Sequence, residues 1–308
     1  MNIHKASSTT VLAAAIAALV GMSAGVANAE EPCGDFGECK VLVEINSSDG
    51  DVGFHFLMDG TDLRYGALFN PKHRKIYSYG ARREMARQFI TETFNESAEP
   101  LCWYPDEDDE EYGENVVTLE QFIDRWTDGK YHFFGIGERW ETSYGKAKLT
   151  FNLPAAPMEL NWEEDDDEED EVEGEISWLP GVDLGECADE DDIDDLLADG
   201  VLPMHPADVE VVRWEVVLEP DVEDGDIIGS MKYVVSIPGD ADLEVEVPDD
   251  YLATLPPNTP AKIEIGAIGI DDNATFSEEG DICLNEDDPD ESDDEDGCGF
   301  GPDEDDDE

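Results

Sequence analysis

The sequence predicts an all-β protein built from two antiparallel β-sandwiches, with acidic loops and a disordered acidic tail. Many short segments are rich in β-branched and aromatic residues, and turn residues separate them. Alternation is clearest at residues 243–247, where apolar side chains take turns with carboxylates. Short strands repeated in this way are typical of a sandwich.

The first predicted sandwich covers residues 39–153. The turn at 48–51 separates its first two strands, and composition favours a helix at 81–94, although 91–94 could extend instead. Its expected strands are 40–45, 53–58, 64–69, 75–79, 130–136 and 147–153.

The second predicted sandwich covers residues 157–285 and follows a stiff Pro/Ala linker at 153–157. Trp178 alternates with Ile176, and Trp214 lies among β-branched residues, so both tryptophans are expected in its core. Its expected strands are 158–162, 175–181, 209–218, 231–237, 243–247, 262–270 and 275–284.

The two ends of the chain predict export and disorder. Lys5, an apolar run at 11–26 and the Ala-Asn-Ala triplet at 27–29 together resemble a secretory signal peptide over residues 1–29. A short N-terminal segment, 30–38, would follow. The acidic tail, 286–308, lacks apolar residues to bury and is expected to be disordered. The chain is therefore expected to be secreted or periplasmic.

The charge is extreme, with 81 acidic against 17 basic residues and a formal net charge of −64. Self-repulsion favours a soluble monomer and disfavours nucleic acid and membrane insertion. The simplest interpretation is a solvated surface suited to a saline exterior. The alternative is that carboxylates bind Ca²⁺, which prefers oxygen ligands. Acidic loops are expected at 106–111, 163–173 and 189–195.

Six cysteines are present, and an even number in an exported chain predicts disulfides. Cys187 and Cys283 are the two cysteines inside the second predicted sandwich, so they are expected to pair. Cys33 and Cys39 are the next pair by proximity. The first pairing has a geometric difficulty, because these cysteines belong to opposite ends of a sandwich, and the long acidic connection would have to carry Cys187 back along the sheet.

The second unit resembles a fibronectin type III domain. The matching segments are Pro-Ala-Ala-Pro at 154–157, Ile-Ser-Trp-Leu-Pro at 176–180 and Trp-Glu-Val-Val-Leu-Glu at 214–219. The turn at 252–257 and the strand at 263–268 also match. The resemblance implies a seven-stranded sandwich. This sequence departs from the family at Ala261, where a tyrosine is usual, and in the long connection 182–207.

The first unit is similar to an N-terminal domain that accompanies such modules in exported bacterial proteins. Residues 44–55 and 94–100 carry that similarity. It supports the division into two domains and implies no activity.

A turn near the start of the first unit is a candidate Ca²⁺ site. Asn46, Asp49 and Asp51 surround Gly50, and oxygen ligands at such spacing suit a calcium loop. The alternative is an ordinary hairpin turn in which these side chains bond to local amides. His55 lies in a predicted strand and is interpreted as structural.

One basic island interrupts the acidic sequence, and tyrosines alternate with its cations. It is interpreted as a docking patch for an anionic glycan, a protein partner or the acidic tail. The alternative is charge balancing by nearby acids. The island consists of Arg64, Lys72, Arg74, Lys75, Arg82, Arg83 and Arg87.

No nucleophile elbow, phosphate loop or zinc-protease motif occurs, so the sequence predicts no enzyme. The leading hypothesis is an exported, non-enzymatic binding or structural protein without a cofactor. A calcium-responsive binding protein is the first alternative. An enzyme with an unrecognised site is the second.

Overall fold

The computed structural model describes residues 33–105, 113–168, 171–222 and 227–285, together with Cys298. The predicted signal peptide, the acidic loop at 106–111 and the acidic tail other than Cys298 lie outside the described residues. Within the described residues the chain is mostly β, so the predicted fold class is confirmed.

Fourteen strands and four short α-helices form the described part of the chain. The strands are β1 (Glu38–Asn46), β2 (Asp51–Leu63), β3 (Tyr65–Phe69), β4 (Lys75–Gly80), β5 (Ile90–Glu96), β6 (Gly129–Ile136), β7 (Thr142–Leu149), β8 (Met158–Glu168), β9 (Glu171–Leu179), β10 (Val211–Pro220), β11 (Tyr233–Pro238), β12 (Glu244–Val247), β13 (Thr259–Gly269) and β14 (Ala274–Leu284). The helices are α1 (Met85–Gln88), α2 (Leu119–Arg125), α3 (Glu190–Ala198) and α4 (Asp249–Leu252).

The strands form three sheets. One has seven strands in the order β11-β10-β13-β14-β1-β2-β5, one has three in the order β12-β9-β8, and one has four in the order β4-β3-β6-β7. Neighbouring strands in these sheets are antiparallel except β1 and β14, which are parallel. The seven-stranded sheet contributes to both sandwiches.

The second sandwich packs β8, β9 and β12 against β10, β11, β13 and β14. These seven strands in two sheets agree with the predicted seven-stranded sandwich. Trp178 and Trp214 are both buried in its core, and their rings meet edge to face at 5.8 Å. The predicted core position of both tryptophans is therefore confirmed. The tyrosine that is usual at position 261 is absent, but the hydroxyl of Tyr251 donates a hydrogen bond to the carbonyl of Met231 at 2.8 Å.

The first sandwich packs β1, β2 and β5 against the four-stranded sheet. Alternate residues of β1 point inward, and Val41, Val43 and Ile45 are buried with Phe54 and Tyr131. The helix predicted at 81–94 forms only over α1, and the alternative that 91–94 extends is confirmed, because the chain turns at Phe89 (φ 69°) and pairs with β2 as strand β5. Pairing with a strand distant in sequence overrides local helix propensity here.

The segment predicted as a linker does not lie free between the two sandwiches. Residues 154–157 are buried alongside β14, where Thr275 Oγ1 donates to the carbonyl of Pro154 at 2.6 Å and Ser277 Oγ donates to that of Pro157 at 2.7 Å. Two hydrophobic clusters remain distinct, one in each sandwich. Residues of the stretch 184–202 nevertheless belong to the first cluster, so the two cores do not divide the chain at 153–157, and the seven-stranded sheet continues across that stretch.

The long connection 180–207 packs on the first core, which the sequence did not predict. Within the acidic run at 189–195 the chain forms α3 rather than a loop. Asp189 caps this helix by accepting the amide of Asp192 at 2.9 Å, and the fully buried Ile193 anchors it in the first hydrophobic cluster. Carboxylates in a first helical turn are favourable because they face unpaired amides.

The disulfides correct one prediction and confirm another. Cys33 pairs with Cys39, as expected. The pairing of Cys187 with Cys283 is wrong, because Cys187 bonds to Cys102 and Cys283 bonds to Cys298. The prediction assumed that the connection 180–207 stayed with the second sandwich, and its packing on the first brings Cys187 to Cys102.

Candidate functional site

Most cations of the protein belong to one sheet and its connections. Residues 64–88 and 129–149, which contain the four-stranded sheet, hold eleven of the 17 basic residues and only three acidic ones, Glu84, Glu138 and Glu141. This surface is called the cationic face below. Its basic residues are Arg64, Lys72, Arg74, Lys75, Arg82, Arg83, Arg87, Lys130, Arg139, Lys146 and Lys148.

The six residues predicted as a docking patch are all exposed on this face. They occupy the β3–β4 turn, the start of β4 and the segment from the end of β4 through α1. Among the described residues none of the six has a carboxylate within ion-pair distance. Within the described residues, no ion pair therefore supports the alternative of internal charge balancing for these six cations. The six are Lys72, Arg74, Lys75, Arg82, Arg83 and Arg87.

Arg64 differs from the other members of the basic island. Its guanidinium lies over the ring of Phe89, 5.0 Å from the centroid, and it is half-buried. A cation over an aromatic face is attracted by the ring quadrupole. Arg64 therefore stabilises the segment after β4 instead of facing solvent.

Aromatic rings lie between the cations on the outer surface of the sheet. The ring of Phe134 is 6.3 Å from Tyr65 and 5.3 Å from Tyr144. Tyr144 is 58% exposed and Trp140, in the β6–β7 turn, is 75% exposed, so these rings are available to a partner. Flat apolar rings can contact the apolar faces of sugars. The cations beside the rings can bind acidic groups attached to those sugars.

The β6–β7 hairpin enlarges the patch that the sequence predicted. Lys130 pairs with Lys148, and His132 pairs with Lys146, so four basic side chains share one face. The ring of His73 lies 5.1 Å from that of His132. Burial and the neighbouring basic groups lower the pKa of His132. Basic residues at alternate positions of 146–148 were a signal for this extension.

The predicted calcium residues form a hydrogen-bonded turn. The amide of Asn46 donates to Asp49 at 2.6 Å, and Asn46 Oδ1 accepts the backbone amides of Ser48 and Asp49 at 3.3 and 3.4 Å. These contacts are those of the hairpin-turn alternative. Asp51 lies opposite Asn46 in the β1–β2 ladder.

A second group of ligand-type side chains lies further along the same sheet face. Glu44, His55 and Glu99 each place one candidate ligand atom within 4.8 Å of the others. His55 Nε2 lies 2.8 Å from Glu99 Oε1, and His55 Nδ1 lies 3.7 Å from Glu44 Oε2. These three residues are called the imidazole–carboxylate cluster. His55 was expected to be structural, and no sequence pattern predicted Glu99, which follows β5 in an irregular segment.

Burial leaves the carboxylates around this cluster with raised pKa values. Desolvation raises the pKa of Glu44 to about 7, a shift that His55 reduces and Glu99 increases. Desolvation, with Glu99 and Asp49, also raises the pKa of Asp51 to about 6. The region is therefore rich in partly buried carboxylates whose negative charges repel one another.

An open cleft of about 830 Å³ lies on the second sandwich, between the β8–β9–β12 sheet and α4. Its polar lining consists largely of carboxylates. One of them, Glu164, accepts the backbone amide of Asn285 at 3.1 Å. The carboxylates are Glu163, Glu164, Glu175, Glu246, Asp249 and Asp250.

No protein-family model matches the chain, and no curated protein sequence matches it. Many solved structures are similar, and they include the three that follow. Chicken CNTN1 FN1–FN3 domains share 9% identity at a TM-score of 0.29, over 80% of this chain and 64% of that chain. A tetra-tandem repeat from the extending region of a large adhesion protein shares 10% identity at a TM-score of 0.23, over 80% and 49%.

The third is a DUF3823 family protein from Parabacteroides merdae, with 9% identity and a TM-score of 0.20 over 80% of this chain and 98% of that one. This chain therefore spans less than two thirds of the length of the first two structures. Scores this low support no inference about function.

None of the helices within the described residues is long and apolar enough to cross a membrane.

Proposed function

We propose that the protein is an exported, non-enzymatic binding protein that holds an anionic glycan at the cell exterior through its cationic face. The observation that carries this proposal is the gathering of eleven of 17 basic residues in the four-stranded sheet and its connections, in a chain with net charge −64. A random scatter of so few cations would leave each one beside a carboxylate. Here six exposed cations have no acidic partner among the described residues.

The surrounding charge restricts the choice of partner. Nucleic acid and anionic membranes present extended negative surfaces that would meet the acidic remainder of the molecule. A flexible acidic polysaccharide can follow the cationic face alone. Exposed Tyr144 and Trp140 add flat rings for sugar faces.

The proposed exterior location agrees with the cysteine chemistry. Three disulfides leave no free cysteine among the described residues. Disulfides of this number persist in oxidising compartments outside the cytoplasm. The signal-like N-terminus supports the same location.

Binding to immobilised acidic polysaccharides tests the proposal. Alginate, polygalacturonate and hyaluronate should retain the protein at about 0.1 M NaCl and release it as salt screens the contact, whereas neutral dextran should not retain it. Replacing Lys72, Arg74, Lys130 and Lys148 with Gln should weaken retention by about tenfold or more, because each removes a charge contact.

The control replaces Lys40, Lys232 and Lys262 with Gln, since these cations lie on or next to the seven-stranded sheet and already have carboxylate partners. Equal retention of both variants would contradict the proposal. If neither the acidic nor the neutral polysaccharides retain the protein, the glycan proposal is contradicted. The cationic face would then be expected to bind a protein partner or the chain's own acidic segments.

A further inference from the structure

We propose that Glu44, His55 and Glu99 form a binding site for a divalent transition metal ion such as Zn²⁺. The site lies on the outer face of the seven-stranded sheet, not on the cationic face. It is therefore independent of the glycan proposal and adds a second ligand to the protein.

The geometry supplies three ligands from three separate segments. Glu44 is on β1, His55 is on β2, and Glu99 follows β5, and one ligand atom of each lies within 4.8 Å of the others. Ligands bound to zinc at about 2.1 Å in a tetrahedron lie about 3.4 Å apart. Small side-chain movements of the two glutamates would therefore complete the site, because both are partly exposed.

His55 is the observation that separates this cluster from an ordinary acidic surface. Its side chain is 2% exposed, and its Nδ1 is buried without a hydrogen-bond partner. The nearest carboxylate oxygen, from Glu44, lies 3.7 Å away, beyond hydrogen-bond distance. Buried polar atoms in folded proteins nearly always have a partner. An ion bound at Nδ1, on the side where Glu44 lies, would give this nitrogen the partner that it lacks.

The local charge also favours a cation. Glu99, Glu96 and Glu264 all repel the charge of Glu44. Among the described residues no Lys or Arg lies within ion-pair distance of Glu44 or Glu99. A divalent ion would neutralise two of these charges at the point where they converge.

Space for the ion depends on a glycine. Gly53 lies opposite Glu44 in the β1–β2 ladder. A Cβ at this position would come within 2.6 Å of both His55 Nε2 and Glu99 Oε1. A larger residue would have to displace the buried imidazole or the Glu99 carboxylate, so glycine leaves these two ligand groups in place on the same face of the sheet.

The ligand types select the class of metal. Imidazole nitrogen with carboxylate oxygens suits Zn²⁺, Mn²⁺ and related ions, whereas Ca²⁺ takes six to eight oxygens. The cluster thus differs from the calcium turn predicted at Asn46, Asp49 and Asp51, although both lie on one sheet face.

Zn²⁺ titration of the purified, metal-free protein by calorimetry tests the site. NaCl at about 0.5 M suppresses diffuse binding to the acidic surface. Glu99→Gln and Glu44→Gln should each weaken zinc affinity by about tenfold or more, because each removes a charged ligand. Glu92→Gln is the matched control, since Glu92 is an exposed carboxylate of β5 outside the cluster, and it should change affinity by less than about twofold.

A second measurement identifies the imidazole. Long-range ¹⁵N–¹H spectra should show the His55 ring nitrogens shifting with one equivalent of zinc, while millimolar Ca²⁺ or Mg²⁺ leaves them in place. Circular dichroism without metal establishes that each variant folds. If Glu44→Gln does not fold, the zinc affinity of Glu99→Gln, compared with that of Glu92→Gln, tests the proposal. Equal zinc affinity in Glu99→Gln and Glu92→Gln, or unmoved His55 signals at saturation, would overturn the proposal.

Discussion

Asn273 shows how one side chain joins the two sandwiches. It is fully buried, and its Oδ1 accepts the amide of Val43 at 2.9 Å. Its Nδ2 donates to the carbonyls of Thr150 and Asn152 at 3.1 and 3.0 Å. A single amide thus bonds β1 of the first sandwich and the segment that leads into the second.

Replacing Asn273 with Ala should lower the free energy of unfolding by about 2–4 kcal/mol, because a buried amide and two carbonyls lose their partner. Urea denaturation measures the change. Asn161→Ala is the control, since Asn161 is exposed and, within the described residues, its side chain bonds to exposed Glu163; it should cost less than about 0.5 kcal/mol. A cost below about 1 kcal/mol for Asn273→Ala would contradict this role.

Glu44 gives the protein a definite pH dependence. Its pKa is about 7 in the folded protein, above its usual 4.5, so the folded state holds a proton that the unfolded state releases. The free energy of unfolding should therefore fall as pH rises from about 4.5 through 7. Asp51, with a folded pKa of about 6, acts in the same direction.

Thermal melting at about pH 5 and pH 7, in EDTA and high salt, measures this effect. Tm should fall with rising pH in the parent, and the fall should be smaller in Glu44→Gln. Glu92→Gln reports the general repulsion of an acidic surface and should behave like the parent. An identical fall in all three proteins would refute the assignment to Glu44.

Single residues differ in how far the sequence could predict them. Trp178 and Trp214 follow the strand pattern, so their burial could be predicted from the sequence. Glu99 lies 44 residues beyond His55, outside any strand, and reaches it only because β5 pairs with β2. Three-dimensional neighbours of this kind leave no pattern in a single sequence.

At the scale of elements, α3 is the instructive departure. Its sequence contains five acidic residues among nine, a composition that predicts a solvated loop. Ile193, Leu196 and Leu197 nevertheless lie at helical spacing and pack on the first core. Three apolar residues are enough to hold α3 on the first core, because both ends of the connection are joined to strands of the second sandwich.

Ile193→Ala should lower the free energy of unfolding by about 2–4 kcal/mol, as removal of a buried isoleucine typically does. It should also raise hydrogen exchange in α3 more than in the second sandwich. Val182→Ala is the comparison, because Val182 is 36% exposed in the same connection and should cost less. Equal costs would show that α3 does not anchor the connection.

The strands themselves were the most predictable elements. Most of them coincide with predicted segments, because alternation and turn residues agree there. Some differ in extent: β7 overlaps the predicted strand 147–153 only at 147–149, and β8 and β9 extend into the run 163–173 that was predicted to be an acidic loop. The exception is β5, which composition assigned largely to a helix. Which strands pair across the two units depends on packing of the whole chain and was not predictable.

For the whole molecule, the Cys102–Cys187 disulfide makes a strong prediction because it closes a loop of 85 residues. Replacing both cysteines with Ser should lower the free energy of unfolding by about 4–5 kcal/mol, through greater freedom of the unfolded chain. The Cys33–Cys39 pair spans 6 residues and should contribute less. Denaturation of the two double variants compares them, and a larger loss from the short loop would contradict the loop-length argument.

The pairing of β1 with β14 has a consequence for the order in which the chain can fold. The ladder joins Glu44 to Ala274, so the first strand, which pairs with β2 on one side, gains its second neighbour only when the last strand is present. Such distant pairing slows folding, since a long loop must close before any contact rewards it. Folding should therefore take milliseconds to seconds, with the central ladder of the seven-stranded sheet among the last structures to form. Pulse-labelled hydrogen exchange at Asn46 and Thr275, compared with the local β6–β7 hairpin, would reveal that sequence of events.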